Sequence, residues 1–458
     1  MTRTSSRPSI LALILLTTVL ASPWHGFAQA KEQVLYSFQG LPDGAQPVGE
    51  VVFDSAGNLY GATLQGGSSS CISIAQCGTV YELSPPTSQG GSWTETVLYI
   101  FKGNAFNDGT SPNGGLVMDS AGNLYGSTAY GGTGNCVLLG TLMGCGTVYE
   151  LSPPAQRGSA WTEKVIYSFP DAVHGYLPNG DLTFDSVGNL YGATEFGGGS
   201  GTSCDPYFQY CGAIFELSPP QQPSGAWTEQ VLYGFKGTAR GALVGDGGAP
   251  NGGLVFDREG GLYGTTIDGG FAGGQCAGIG VGGPGCGTVF KLKRPRKGEA
   301  WAEEILYRFD EADGSHPWAG LALRGDYLYG SNLGTIFKLG SSAGASRTWS
   351  ETILYTFNGS FDPAAAMVFD QSGNLYGTTE DGNPFYGLAF TLRAPGQDGQ
   401  NWTFDVLHGF TSSPDGAQPA AKFTVGKGGG LYSTTQAGGT GSCNFNFNGC
   451  GVVFELRP

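Results

Sequence analysis

Three charged residues occupy a position at which other copies of the same recurring segment carry glycine or alanine. The small residues are Gly115, Gly253, Gly320 and Ala366, and the charged ones are Glu50, Asp181 and Lys422. Two carboxyl groups could act as the acid and the base of glycoside hydrolysis, and a lysine could act as a general base. The structural alternative is an ion pair between Lys422 and Glu50 beside a solvated Asp181. The sequence favours the ion pair and leaves the catalytic interpretation open.

Aspartates followed directly by glycine recur in the loops. They are Asp43, Asp108, Asp246, Asp313 and Asp415. A ring of carboxylates could hold Ca²⁺, which prefers several oxygen ligands. Alternatively, Asp accepts hydrogen bonds from its own turn while Gly supplies a positive φ. The repetition favours turn chemistry, and Ca²⁺ is the one cofactor that the sequence suggests.

The loops are also rich in aromatic residues that could bind a ligand. The candidates are Tyr130, Phe196, Tyr207, Tyr210, Phe271, Trp318, Tyr386 and Phe445. Exposed rings near Asn and Asp suit stacking on sugars or contact with a protein. The alternative is that these rings cover small cores within the loops themselves. In the same loops, His174 and His316 are too far apart in the repeat to share a metal, and both are expected to be solvated.

The elements that position these residues follow from three short patterns, each present seven times. Copies of VLYSF start at Val34, Val97, Val165, Val231, Ile305, Ile353 and Val406. The tyrosines of GNLYG are Tyr60, Tyr125, Tyr191, Tyr263, Tyr329, Tyr376 and Tyr432. Copies of GTVYEL start at Gly78, Gly146, Gly212, Gly287, Gly334, Gly387 and Gly451.

Each unit is predicted to form four strands: A before the DSAGN turn, B at GNLYG, C at GTVYEL and D at VLYSF. Four-stranded units repeated around an axis make a β-propeller, whereas a β-solenoid would normally have shorter repeats. We therefore expect an all-β, seven-bladed propeller of antiparallel blades over residues 31–458. The predicted blades are about 48–101, 115–169, 181–235, 253–309, 319–357, 364–410 and 420–456 plus the latch strand 33–38. The N-terminal strand would complete the last blade and remove two open sheet edges. The D–A and B–C loops would then emerge on one face, which we call the loop face.

Ten cysteines fall into five local pairs within the B–C loops. The pairs are Cys71/Cys77, Cys136/Cys145, Cys204/Cys211, Cys276/Cys286 and Cys443/Cys450. Units with short B–C loops have no cysteine, so loops and pairs occur together. This pattern predicts five disulfides within loops, each worth roughly 2–3 kcal/mol. Zinc is disfavoured because no histidine accompanies the cysteines in these loops.

The GNLYG…GTVYEL unit resembles the Gloeo/Verruco (GloVer) tandem repeat, and the similarity covers essentially all of residues 33–458. The resemblance implies an extracellular bacterial repeat protein without a defined chemistry. It supplies no catalytic residues, and we recognise none of the family's varied C-terminal anchors in this chain.

Composition and charge limit the partners and the location. The chain has 458 residues, with 81 Gly, 25 Pro and a formal charge of −15, which disfavours nucleic acid and anionic lipid. Residues 1–30 have the basic start, short apolar run and Ala28-Gln29-Ala30 end of a secretory signal peptide. We expect a secreted protein, extracellular or periplasmic, without a membrane span and monomeric.

The sequence therefore favours a non-catalytic propeller that binds a polysaccharide or an extracellular protein through its loop face. One alternative is a lyase or hydrolase acting on glycans at the channel mouth. The other is a structural or assembly protein of the cell surface. Motifs of serine hydrolases, zinc peptidases and nucleotide-binding loops are missing from the sequence.

Overall fold

The computed structural model describes residues 30–458 except 69–76, 89, 104, 106, 139, 157, 199–210, 223–224, 239–243, 274–275, 277–284, 297–298, 343–347, 359–362, 364, 383, 397–400 and 444–448. In this part of the chain the regular elements are β-strands, and a search of it finds no helix with the length and apolar character of a membrane span. The signal peptide predicted for residues 1–30 lies outside the described residues, apart from Ala30.

The first three blades follow an N-terminal strand, β1 (Lys31–Ser37). Blade 1 contains β2 (Ala45–Phe53), β3 (Leu59–Gln65), β4 (Thr79–Ser84) and β5 (Thr94–Ile100). Blade 2 contains a divided strand A, β6 (Gly109–Pro112) and β7 (Val117–Met118), then β8 (Leu124–Gly131), the loop hairpin β9 (Val137–Leu138) and β10 (Thr141–Leu142), β11 (Thr147–Ser152) and β12 (Thr162–Ser168). Blade 3 contains β13 (Tyr176–Phe184), β14 (Leu190–Phe196), β15 (Ala213–Ser218) and β16 (Thr228–Gly234).

The last four blades repeat this order. Blade 4 contains β17 (Val244–Phe256), β18 (Leu262–Phe271), β19 (Thr288–Lys293) and β20 (Ala302–Arg308). Blade 5 contains β21 (Ala322–Arg324), β22 (Tyr327–Asn332), β23 (Thr335–Ser341) and β24 (Trp349–Thr356). Blade 6 contains β25 (Val368–Phe369), β26 (Leu375–Thr379), β27 (Leu388–Arg393) and β28 (Thr403–Gly409). Blade 7 contains β29 (Thr424–Val425), β30 (Leu431–Thr435) and β31 (Val452–Arg457).

The fourth strand of blade 7 is β1, so the ring is closed by the N-terminal strand. β1 pairs antiparallel with β31, with Lys31 opposite Arg457 and Val34 opposite Phe454. The sheet order is β1-β31-β30-β29. The predicted seven-bladed propeller and its N-terminal latch are both confirmed.

Apolar packing between blades holds the ring together. Among the described residues the buried apolar side chains form seven clusters, each shared by two neighbouring blades. The phenylalanine of each VLYSF copy contacts an aromatic ring on strand C of the next blade. The pairs are Phe38–Tyr81, Phe101–Tyr149, Phe169–Phe215, Phe235–Phe290, Phe309–Phe337, Phe357–Phe390 and Phe410–Phe454, with centroids 5.0–6.0 Å apart. Such a pair adds about 0.5–1.5 kcal/mol beyond the burial of its area.

A second contact between blades, which we call the joint, connects the start of strand C to strand A of the following blade. Gly146 has a φ of 94°, and a Cβ there would lie 2.5 Å from Cδ of Pro178. Leu177, at a φ of 52°, donates its N–H to the carbonyl of Cys145 at 3.2 Å. The same glycine–proline approach recurs at Gly78/Pro112, Gly212/Pro250, Gly287/Pro317, Gly387/Pro419 and Gly451/Pro47. A proline from the next blade therefore accounts for glycine in six of the seven copies of GTVYEL, whereas a Cβ at Gly334 would meet nothing within 4 Å.

Disulfides anchor the carbonyls that take part in these joints. Three predicted pairs are confirmed: Cys136–Cys145, Cys276–Cys286 and Cys443–Cys450, with Cα atoms 4.9, 5.3 and 5.1 Å apart. Cys77 and Cys211 are also disulfide-bonded. Their predicted partners, Cys71 and Cys204, lie outside the described residues.

Candidate functional site

A cavity of about 590 Å³ lies on the axis of the ring. Strand A and the segment before it contribute wall residues from all seven blades. The end of strand B adds Leu333, Glu380 and Gln436, which follow the strand on the side of the B–C loops. The cavity therefore occupies the half of the channel that opens to the loop face. Its volume is in the range usual for small-molecule sites.

The ion pair expected between blades 7 and 1 is present in the cavity wall. Lys422 Nζ lies 2.7 Å from Glu50 Oε2, and the side chains are 32% and 24% exposed. Burial raises the pKa of the Glu50 carboxyl, although the Lys422 ammonium opposes the shift. Burial also disfavours the charge on Lys422, but the attraction of Glu50 and Asp181 outweighs it and raises the pKa of this lysine. Lys422 is therefore a charged ammonium whose charge is already matched by a carboxylate.

Asp181 completes the charged group that the sequence singled out. Its Oδ1 accepts a hydrogen bond from the backbone N–H of Gly115 at 2.6 Å. A Cβ at Gly115 would lie 2.8 Å from this oxygen and 3.1 Å from the Cβ of Glu50. Glycine is required at position 115 because both acidic residues approach it. The structure thus brings Glu50, Asp181 and Lys422 together, with every one of them engaged by a protein group.

Asparagine side chains form a polar band next to these charges. Asn113 donates from Nδ2 to Oδ1 of Asn179 at 2.9 Å, and Asn179 donates in turn to Oε2 of Glu195 at 3.2 Å. Burial raises the pKa of Glu195 to about 7, with the Asn179 hydrogen bond acting against the shift. Asn251 of blade 4 also lines the cavity. Amides and carboxylates in one wall can donate to and accept from the hydroxyl groups of a ligand.

Trp318 provides the cavity with a flat apolar surface. It is half-buried, and within the described residues it belongs to none of the apolar clusters and makes no hydrogen bond or ring contact. The tryptophans that open strand D behave differently, because they pack against neighbouring blades, as Trp161 does against Tyr60. Trp318 is therefore the aromatic residue of the cavity lining, and its indole N–H has no hydrogen-bond partner among the described residues.

The aspartates of the Asp-Gly loops make local contacts with strand D of the preceding blade. Tyr36, Tyr99 and Tyr233 on strand D donate to Asp43, Asp108 and Asp246 at 2.7, 2.8 and 2.9 Å. Tyr307 donates to Asp313 in the same way, and His408 Nε2 lies 3.0 Å from Asp415. In the part of the chain that is described, no three His, Cys, Asp or Glu side chains are grouped to hold a metal ion. The geometry is that of loop-closing turns, and binding of Ca²⁺ by these carboxylates stays a prediction.

The predicted aromatic residues are placed in several different ways. Phe196 is buried, with its ring 5.5 Å from that of Tyr176, so it packs within its blade. Tyr130 and Phe271 are half-buried, and Tyr386 is 43% exposed. Tyr207, Tyr210 and Phe445 lie outside the described residues. Among those described, Trp318 is the one that lines the axial cavity.

The two loop histidines also differ. His174 is exposed and lies 2.8 Å from Asp171. His316 is only 6% exposed, and its Nε2 is 3.8 Å from the buried Asp268. The expectation of a solvated His316 is wrong, because its left-handed backbone, with a φ of 51°, belongs to the joint before Pro317.

Sequence reasoning missed the asparagine band, although the repeat carries a signal for it. The segments Pro112–Gly115, Pro178–Asp181 and Pro250–Gly253 align, and each has asparagine after its proline. The aligned residue after Pro317 is Trp318. Polar or aromatic residues at the second position of this segment mark the channel wall. Two residues further along the segment lies the position that Glu50, Asp181 and Lys422 occupy.

A second missed feature is a glutamate near the start of strand D. Burial and the aspartate of the preceding Asp-Gly loop raise the pKa of Glu95, Glu163 and Glu303 to about 7 and that of Glu351 to about 8. One carboxyl oxygen of each lacks a hydrogen-bond partner among the described residues. These groups lie between blades and away from the channel residues.

Comparison with known proteins places this propeller in a family. Residues 26–279, more than half of the chain, match the model of the Gloeobacter/Verrucomicrobia repeat. The protein is a seven-bladed propeller with an axial cavity, and it belongs to the Gloeobacter/Verrucomicrobia repeat family. A search of curated proteins gives no match.

Solved structures that resemble the chain do so at low identity. A gluconolactonase from Xanthomonas campestris is 14% identical over 74% of this chain and 82% of its own, with a TM-score of 0.37. The PQQ-bound aldose sugar dehydrogenase of Streptomyces coelicolor is 15% identical over 83% and 98%, with a TM-score of 0.37. A protein of unknown function from Dyadobacter fermentans is 11% identical over 94% and 100%, with a TM-score of 0.42. Similarity at this level says nothing about activity or ligand.

Proposed function

We propose that this is a secreted binding protein that holds a polysaccharide at the loop face, with part of the ligand inside the axial cavity. The observation that carries the proposal is Trp318, an unpacked indole in a cavity whose other walls carry amides and carboxylates. An aromatic face with hydrogen-bonding groups around it suits a sugar ring, which is apolar on its faces and polar at its edge. The disulfides and the predicted signal peptide support an oxidising, extracytoplasmic location.

The state of the charged group supports binding without catalysis. Glu50 is matched by Lys422 and also accepts from Thr424 at 3.3 Å, and Asp181 is held by the N–H of Gly115. A hydrolase of the usual kind needs one protonated and one free carboxyl on either side of the bond. The arrangement here favours a structural and electrostatic role for the three residues.

The test is a polysaccharide array followed by calorimetry on the oxidised chain beginning at Lys31, with and without Ca²⁺. We expect Trp318→Ala to weaken binding about tenfold or more, which corresponds to about 1.4 kcal/mol. Tyr327→Ala is the matched control, because Tyr327 is an aromatic residue, 43% exposed, at the A–B turn on the opposite face. Binding that Trp318→Ala leaves unchanged would contradict the proposed site. Release of shorter sugars that Glu50→Gln abolishes would favour the glycan-cleaving alternative.

A protein ligand is the second candidate, and a different observation favours it. Several exposed apolar side chains lie in loops of the loop face: Leu41, Val137, Leu142, Val173, Val244 and Tyr386, each 43–73% exposed. Where such side chains form a contiguous patch, the patch is typical of protein contacts. Failure to bind any polysaccharide would shift the assignment to a protein ligand on this face.

A further inference from the structure

The charges that face the axial cavity are unbalanced. Asp181 and Glu380 line it together with the Glu50–Lys422 pair, and Glu195 lies behind Asn179. Among the described residues that line the cavity, Lys422 is the one basic side chain, and its ammonium lies 2.7 Å from the Glu50 carboxylate. In the part of the cavity wall that the structure describes, an arriving anion would approach at least two carboxylates and no basic group other than the paired Lys422.

The surroundings amplify this imbalance. Repulsion between like charges is several times stronger at the dielectric typical of a protein surface than in bulk water. The formal charge of the whole chain, −15, has the same sign and adds a long-range barrier to anions. Hydroxyl groups meet no such barrier, because they can donate to carboxylates and to the amide oxygens.

From this we infer that the cavity selects an uncharged sugar and rejects sugars that carry carboxylate or sulfate groups. The inference rests on the proposed function and specifies its ligand class. Asp181 and Glu380 are the residues that determine this specificity. Asp181 is fixed by the N–H of Gly115, and Glu380 Oε1 accepts from Nε2 of Gln418 at 3.3 Å.

The experiment uses pairs of polymers with the same backbone: dextran and carboxymethyl dextran, starch and carboxymethyl starch, curdlan and carboxymethyl curdlan, with dextran sulfate as a further anion. Binding to the oxidised chain is measured at low and physiological salt. We expect any bound polymer to be an uncharged one, and its carboxymethyl form to bind about tenfold more weakly or worse. Equal or tighter binding of the anionic partner would overturn the inference while leaving the proposed function intact. If no polymer binds, the proposed function fails and the inference fails with it.

A double substitution tests the residues themselves. Asp181→Asn with Glu380→Gln keeps both hydrogen-bond acceptors and removes two negative charges. We expect the affinity for the anionic polymer, relative to its uncharged partner, to rise about tenfold. The control is Glu299→Gln with Asp326→Asn, which removes the same charge from exposed loops on the opposite face. An equal change of the ratio in the control would mean that net charge, and not the cavity, sets the preference.

Discussion

Near the start of strand D, a half-buried glutamate recurs at one blade boundary after another. Glu351 is the most perturbed of these, because it is buried beside Asp313 and Asp310, which raises its pKa to about 8. An acid whose pKa is higher in the folded chain stabilises the fold when protonated. This stabilisation is fully present below the pKa that the glutamate has in the unfolded chain. It is lost as the pH rises through the pKa that the glutamate has in the folded chain.

We therefore predict that the protein loses thermal stability as the pH rises from about 5 to 8.5. This direction is opposite to the usual effect of ionised acidic groups, which stabilise a fold as the pH rises. Glu351→Gln should unfold at a higher temperature than the parent at about pH 8.5, with a smaller difference at pH 5. Calorimetric or fluorescence melting curves across the range measure both effects. Glu299→Gln, an exposed glutamate on a C–D loop, should not change the profile. A melting temperature that stays constant or rises from pH 6.5 to pH 8.5 would contradict the prediction.

At the scale of the element, the joint between strand C and the next strand A is the feature with the clearest consequence. Gly146 and Gly158 have similar φ values, 94° and 89°. A Cβ at Gly146 would lie 2.5 Å from Cδ of Pro178 of blade 3 and 2.6 Å from the carbonyl oxygen of Thr128 in its own blade, whereas one at Gly158 would meet nothing within 4 Å. The two glycines therefore separate the strain of a left-handed backbone from the steric crowding at the joint.

Gly158→Ala should cost about 1 kcal/mol, the strain of a left-handed alanine. Gly146→Ala should cost about 3 kcal/mol, because the ring of Pro178 must also move and loosen the contact between two blades. Denaturant unfolding of the oxidised protein measures both. Equal losses in the two variants would contradict the steric role assigned to Gly146 at the joint.

At the scale of the whole molecule, closure depends on β1. This strand covers the edge of β31 and is followed directly by Phe38, whose ring centroid lies 5.0 Å from that of Tyr81 of blade 1. A chain beginning at Gly40 should therefore expose the edge of β31 and lose one of the seven blade contacts. We expect it to melt at a lower temperature and to self-associate, relative to the chain beginning at Lys31. Size-exclusion chromatography and melting curves measure this, and a monomer of unchanged stability would contradict a role for the latch.

The sequence allowed the ring to be predicted because each blade repeats the same three patterns, and their order places a spare strand D before the first blade. The ion pair was also predictable, since Glu50 and Lys422 occupy equivalent positions in adjacent blades. The link between Asp181 and Gly115 was not, because it depends on how closely neighbouring strands A approach. The sequence pattern likewise could not show that Trp318 and Phe196 have different roles. Both are loop aromatics, and only their surroundings make one a cavity wall and the other part of a blade core.

The pairing of β1 with β31 also sets an order in time. Residues 31–37 are synthesised before every blade, yet the strand that they pair with, residues 452–457, is made after all the others. The first strand must therefore wait for its partner until all seven blades have been synthesised. A chain that stops before β31 cannot close the ring. Closure thus comes last, and it depends on synthesis of every blade.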